Sequence, residues 1–166
     1  MSDRHPNVKN VAEVPWVDRG NGKKFGARSK FLGRAAGGAR LGCSWFELPP
    51  GTRSFPFHYH LANEEAIYIL EGQATLRVGS REVAVGAGDY LAFPVGPEHA
   101  HQLINSGAGP LRYLCMSTMQ EPEVAVYPDS KKVGVWGARN SSQDGGPLRQ
   151  LHRLGETLQY FEGEDD

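Results

Sequence analysis

The chemistry-bearing residues of this chain are concentrated in its histidines. Six occur in 166 residues: His5, His58, His60, His99, His101 and His152. Four of them form two His-x-His pairs, His58/His60 and His99/His101. Alternate residues of an extended segment share a face. His58 and His60 therefore project together, as do His99 and His101 if their segment is extended. Glu65 follows His60 after the short break LANE. Neutral imidazoles beside an ionised carboxylate form a ligand set for a borderline divalent metal such as Zn, Mn, Fe, Co, Ni or Cu. A lone histidine on a strand is usually a surface residue. Two pairs and a glutamate, in a chain otherwise poor in histidine, point instead to a metal site. Its ligands must be deprotonated, so binding should weaken as pH falls.

The elements that carry these residues read as short strands. Gly and Pro supply 32 residues, close to a fifth of the chain. From about residue 40 the apolar runs are ARLGCSWFEL, AIYIL (66–70), ATLRV (74–78), EVAV (82–85), DYLAF (89–93), HQLIN (101–105) and LRYLCMSTM (111–119). Each is bounded by Gly, Pro, Asn or Ser. That spacing predicts an all-β sandwich or barrel, and no stretch holds a helical period. Residues 1–35 read as a polar N-terminal arm with a basic cluster. Beyond Met119, VGVW (133–136) reads as a further strand and NSSQDGGP (140–147) as a loop. LRQLHRL fits either a helix or a strand, and the aromatic ETLQYF (156–161) is expected to dock. The glycines of GRAAGGARLG do not have dinucleotide-binding spacing.

With these residues in view, the chain resembles the cupins. Its first motif is Gly51-TRSFPF-His58-Tyr59-His60-LANE-Glu65-AIYILE-Gly72. That spacing puts the family's acidic ligand on Glu65 rather than Glu64. The second motif opens as Gly88-DYLAF-Pro94-Val95-Gly96. Counting forward from Gly96 reaches His99, and counting back from Asn105 reaches His101, so the loop is longer than the motif. His101 is preferred because it opens the strand-like HQLIN, whereas His99 lies in the Gly-Pro-Glu loop. Both remain candidates. The resemblance implies a jelly-roll β-barrel of two antiparallel sheets (36–119), with N- and C-terminal extensions (1–35 and 120–166). It implies a divalent transition metal (Zn, Mn, Fe or Ni) on His58, His60, Glu65 and His101. It also implies a homodimer acting on a small molecule. The reaction classes are sugar-phosphate isomerase, dioxygenase or decarboxylase, with the metal as Lewis acid or O₂-activating centre. His99 and Glu64 are the candidates for a catalytic acid or base. The alternative is a non-catalytic sugar- or small-molecule-binding cupin with a structural metal or none.

Composition narrows the partners. Lys and Arg number 18 against 19 Asp and Glu, a net charge of −1. Such balance argues against nucleic-acid binding and gives no polybasic membrane patch. No apolar run is long enough for a membrane helix, and MSDRHPNVKNVAEV has no signal-peptide core. Cys43 and Cys115 are too few for a disulfide framework and read as free thiols on strands. The expectation is a cytoplasmic protein. Strand alternation places Ile67 and Ile69 on the face of Glu65. Phe55, Phe57, Tyr59, Tyr68, Phe93 and Trp45 are candidate pocket aromatics. Arg40, Arg53, Arg77 and Arg112 are candidate partners for an anion.

Overall fold

A computed structural model describes residues 4–137 and 146–164. Most of NSSQDGGP lies outside the described residues. The chain is almost wholly β, and its strands pair antiparallel in three sheets. Seven strands fall on the apolar runs: β3 (Leu41–Leu48), β5 (Glu65–Glu71), β6 (Gln73–Val78), β7 (Arg81–Gly86), β8 (Tyr90–Phe93), β9 (His101–Asn105) and β10 (Leu111–Thr118). The flanking segments contribute β1 (Val17–Asn21), β2 (Phe25–Lys30), β11 (Glu123–Tyr127), β12 (Lys132–Trp136) and β13 (Arg149–Arg153). The two residues of β4 (Tyr59–His60) complete the set, and α1 (Leu32–Ala35) is one turn of helix.

The large sheet runs β1-β2-β3-β10-β5-β8. A second runs β13-β12-β11-β4, and a third runs β7-β6-β9. The all-β jelly-roll class is thus present, although the sheets do not join into one closed hydrogen-bonded cylinder. Period-two burial explains the packing of β5. Ile67 and Ile69 point inward and are buried, while Tyr68 between them is exposed. Phe46, Leu48, Leu76, Phe93, Leu103, Leu111 and Tyr113 fill the same core. Asn105 is buried among them and fully used. Its side-chain amide donates to the Leu48 carbonyl at 2.8 Å and the Gly109 carbonyl at 2.9 Å.

Two glycines shape the site's surroundings. Gly72 turns β5 into β6 at φ +96, and a Cβ there would lie 2.8 Å from the Pro110 carbonyl oxygen. Gly96, at φ 117, donates its N–H to the His60 carbonyl at 3.0 Å. It starts a short 3₁₀ turn, Pro97–His99, which takes up the extra loop residues and delivers His101 to β9.

The flanks differ from the reading of polar extensions. Residues 17–30 form a hairpin whose second strand pairs with β3, through Arg28 opposite Glu47 and Lys30 opposite Trp45. The hairpin is hard to see in sequence because β1 is exposed throughout and VDRGN has no apolar alternation. LRQLHRL resolves as β13, an exposed edge strand on β12. Among the described residues, the large apolar side chains of the tail are exposed on this chain. Leu158, Tyr160 and Phe161 are 77%, 89% and 76% exposed. The turns there are held by local bonds such as Glu162 N–H to the Gln159 carbonyl.

Candidate metal centre

Three local devices bring the ligand candidates together. His58 and His101 face each other across an antiparallel bridge, with the N–H of each donating to the carbonyl of the other at 3.1 and 2.8 Å. His60 sits on β4, held by pairing with Ala125 of β11. Glu65 is the first residue of β5 and lies opposite Ser117 of β10. Ligand atoms of His58, His60 and Glu65 all lie within 4.8 Å of one another. His101 joins this trio through Glu65, with Nε2 3.3 Å from Oε1. His60 Nε2 lies 3.7 Å from the other carboxylate oxygen.

Backbone carbonyls set the imidazole orientations. His58 Nδ1–H donates to the Pro56 carbonyl at 2.9 Å, and His101 Nδ1–H donates to the His99 carbonyl at 3.0 Å. Each bond leaves Nε2 as a lone-pair donor toward the cluster, as a metal-ligating imidazole requires. The His101 ring is stacked on Phe93, with centroids 3.7 Å apart. His60 differs, because both of its ring nitrogens are buried without a hydrogen-bond partner. A buried polar atom left in that state is costly. An orphaned imidazole nitrogen facing a carboxylate is what a divalent cation would satisfy. The donor set of imidazoles and one carboxylate fits the borderline metals.

The electrostatics agree with this fit. Burial, followed by the neighbouring His101 imidazole, pushes His58 down to about 4. It is therefore neutral and able to coordinate at neutral pH. Burial alone would raise the Glu65 carboxyl. Its contact with His101 and the electrostatic effect of the surrounding imidazoles outweigh it and hold the carboxyl below its ordinary value. Behind Glu65, burial and the nearby carboxylate push the Cys115 thiol up, which keeps it neutral.

Two spaces of very different size border the cluster. Toward Tyr113 and Cys115 the packing leaves only about 10 Å³ of free space. On the opposite side lies a cleft of about 270 Å³, walled by Phe55, Glu123, Tyr127 and Trp136. His58, His60 and Glu65 also line that cleft. Three of those walls come from β11 and β12, beyond residue 120. The Tyr127 ring lies nearly parallel to His58, with centroids 5.9 Å apart. Glu123 is buried. Its Oε1 lies 3.5 Å from His60 Nδ1, and its Oε2 accepts the Asn63 N–H at 2.8 Å. The sequence reading missed Glu123, Tyr127 and Trp136. The alternation of EVAVY, which puts Glu123, Ala125 and Tyr127 on one face, was the available signal.

The other candidates are spread out. His99 lies on the 3₁₀ turn, its ring 3.6 Å from Glu98 and outside the cluster. Glu64 is exposed, one residue before the inward-facing Glu65. Of the aromatics, Phe55 lines the cleft and Phe93 backs His101. Phe57 is buried under the Arg77 guanidinium, and Tyr68 faces outward. Arg77 is committed to Asp129 through two bonds of 2.6 and 3.0 Å. Arg112 is committed to Glu47 and Glu71. Arg40 is exposed, and Arg53 is half-buried with its Nε unpartnered.

Residues 44–117 match the family model described as Cupin domain. An uncharacterized protein of Methanocaldococcus jannaschii is 34% identical over 70 residues, covering 42% of this chain and 54% of that protein. A quercetin 2,3-dioxygenase of Bacillus subtilis is 37% identical over 57 residues, covering 34% of this chain and 17% of that enzyme. The alignments thus span about half of the first relative and a small part of the second. Among solved structures, a putative sugar phosphate isomerase from Acidithiobacillus ferrooxidans superposes with a TM-score of 0.78. It is 22% identical, with 92% of this chain and 96% of that one covered. A sugar phosphate isomerase from a cupin superfamily, from Silicibacter pomeroyi, gives a TM-score of 0.75. It is 25% identical, with 91% and 96% covered. The first of these likenesses extends the shared fold to the flanking strands and carries no further weight.

Proposed function

We propose that this chain, whose residues 44–117 match the Cupin domain model, acts on a small molecule at a metal held by His58, His60, Glu65 and His101. The observation that carries the reading is the half-buried His60 ring, whose two inaccessible nitrogens have no hydrogen-bond partner and sit in a cluster that borders a cleft. A divalent metal bound there would supply Lewis-acid or O₂-activating chemistry. The chain's own residues would do the rest. Glu123 would hold a proton on His60 Nδ1 and so keep Nε2 free for the metal. Phe55, Tyr127 and Trp136 would orient a small substrate and exclude water from it. The cleft volume is near the lower end of the roughly 300–1,000 Å³ typical of small-molecule sites. The reaction classes this supports are isomerisation, dioxygenation and decarboxylation. We further propose that residues 36–119 form the catalytic barrel, with the extensions supplying cleft walls.

The test is elemental analysis of untagged protein beside His58→Ala/His60→Ala, followed by turnover assays on sugar phosphates, flavonols and small diacids. A stoichiometric transition metal in the wild type alone, with turnover of one class, is the expected result. Absence of metal after reconstitution with a panel of divalent ions would overturn the reading. Metal without turnover, in a protein that binds one of these ligands, would make it a binding barrel instead.

A further inference from the structure

A second cavity, of about 360 Å³, lies over the inner face of the large sheet, beyond Glu65. Its floor is Ser44 of β3 with Cys115 and Ser117 of β10, and its rim carries Arg19 of β1 and Arg34 of α1. None of the residues lining it is acidic. Among the described residues, neither Arg19 nor Arg34 has a carboxylate partner. Arg28, Arg77 and Arg112, by contrast, are each tied to a carboxylate. The Arg19 guanidinium lies 5.2 Å from the centre of the Phe31 ring, which holds it over the opening.

This cavity adjoins the metal cluster. Ser117 stands directly opposite Glu65 in the β10–β5 pairing. Cys115 lines both this cavity and the narrow gap beside Glu65. The Ser117 hydroxyl donates to the Thr118 carbonyl at 2.7 Å, which leaves two guanidiniums without a carboxylate partner and the Ser44 hydroxyl as the donors of a site for an oxyanion. The planar fork of arginine suits phosphate and carboxylate oxygens alike.

We propose that Arg19, Arg34 and Ser44 form an anion subsite that takes the phosphate or carboxylate group of a small substrate. The N-terminal hairpin then has a binding role, because β1 supplies Arg19. That the remainder of the same molecule reaches the Glu65 cluster rests on the function proposed above. The subsite itself does not depend on that reading.

The test is isothermal titration of inorganic phosphate, a hexose phosphate, the matching free hexose and succinate. It is run into metal-loaded and metal-stripped protein, for the wild type, Arg19→Gln, Arg34→Gln, the double variant and His58→Ala. Both arginines are exposed, so the variants should fold, and melting curves check that they do. The expected result is that phosphate binds metal-stripped wild type and the free hexose does not. Each single arginine variant should weaken phosphate about tenfold, the order of one lost charge-assisted hydrogen bond. His58→Ala should leave phosphate binding unchanged. Tighter binding of succinate than of phosphate would assign the subsite to carboxylates. A double variant that binds phosphate within twofold of wild type would overturn the proposal. So would anion binding that needs metal and is lost in His58→Ala but kept without the arginines. If the wild type takes up no metal while anion binding still follows the arginines, the subsite stands and the metal reading falls.

Discussion

Replacing Glu123 by Gln separates a structural carboxylate from one that tunes the metal centre. In the native site Oε2 accepts the Asn63 N–H at 2.8 Å. Oε1 lies 3.3 Å from the Leu61 nitrogen and 3.5 Å from His60 Nδ1. A glutamine can sit in two ways. With its carbonyl toward His60, its amide group faces the buried Asn63 N–H, and an unsatisfied donor there costs about 1–3 kcal/mol. With its carbonyl toward Asn63, the NH₂ group faces Leu61 and His60. The Leu61 N–H still has the Val124 carbonyl at 2.9 Å, so this orientation is the cheaper one.

That orientation sets a donor against His60 Nδ1. Nδ1 must then accept, and the proton moves to Nε2, the nitrogen 3.7 Å from Glu65. One lone pair is lost to the metal. Loss of a partner that orients a ligating histidine costs about 10- to 100-fold in metal affinity. The metal-free fold should lose only about 1 kcal/mol. Competition with a chromophoric chelator at fixed pH reads the first quantity, and urea unfolding of stripped protein reads the second. A metal affinity within threefold of wild type, with unfolding unchanged, would refute the tautomer argument.

His101→Ala should lower the metal content sharply, whereas His99→Ala should leave it at the wild-type value, as elemental analysis would show; the reverse result would move the fourth ligand to the loop. Acidification should destabilise the metal-free protein. His58 titrates near 4 when folded against 6.5 when exposed, so between those values only the unfolded chain takes up the proton, and stability falls as pH falls. The loss between pH 7 and pH 5 should be about 2 kcal/mol by urea unfolding and should largely vanish in His58→Gln. Glu65, with its lowered pKa, adds a loss of the same sign at more acidic pH, as its carboxylate is protonated below the ordinary range. Gly72→Ala should cost about 1–3 kcal/mol, a fall of several degrees in Tm, because a Cβ there meets the Pro110 carbonyl at positive φ. Arg77→Ala should cost under about 1 kcal/mol and leave metal content unchanged, since its pair with Asp129 is largely exposed.

Apart from β4, the strands from residue 41 to 118 were legible because each is an apolar run closed by a turn former. The inward placement of Glu65 beside the His-x-His pair was legible from its spacing, and the strand position of His101 from the apolar run HQLIN. The hairpin at 17–30 was not legible. Its outer strand has no buried residue, and what holds it is pairing to β3, a long-range contact that no local pattern reports. Glu123 was hidden for a related reason. Its role depends on β11 pairing with the two residues of β4, and a two-residue strand leaves no periodicity to read.

The segments that sequence comparison covers least are the ones that shape the cleft. The matched family region ends at residue 117. Glu123, Tyr127 and Trp136 come after it, while Arg19 and Arg34 come before it. Within the matched region lie the ligand candidates and the core, whose packing demands are similar for any substrate. A shared barrel therefore constrains which atoms hold a metal and says little about which molecule approaches it. Substrate choice in this chain should follow the flanks. Exchanging β11 and β12 for those of a structural relative should change which ligands bind and leave metal content alone. Barrel substitutions at His58, His60 or Glu65 should abolish metal uptake whatever the ligand. A flank exchange that removed the metal but preserved ligand preference would invert this division of labour.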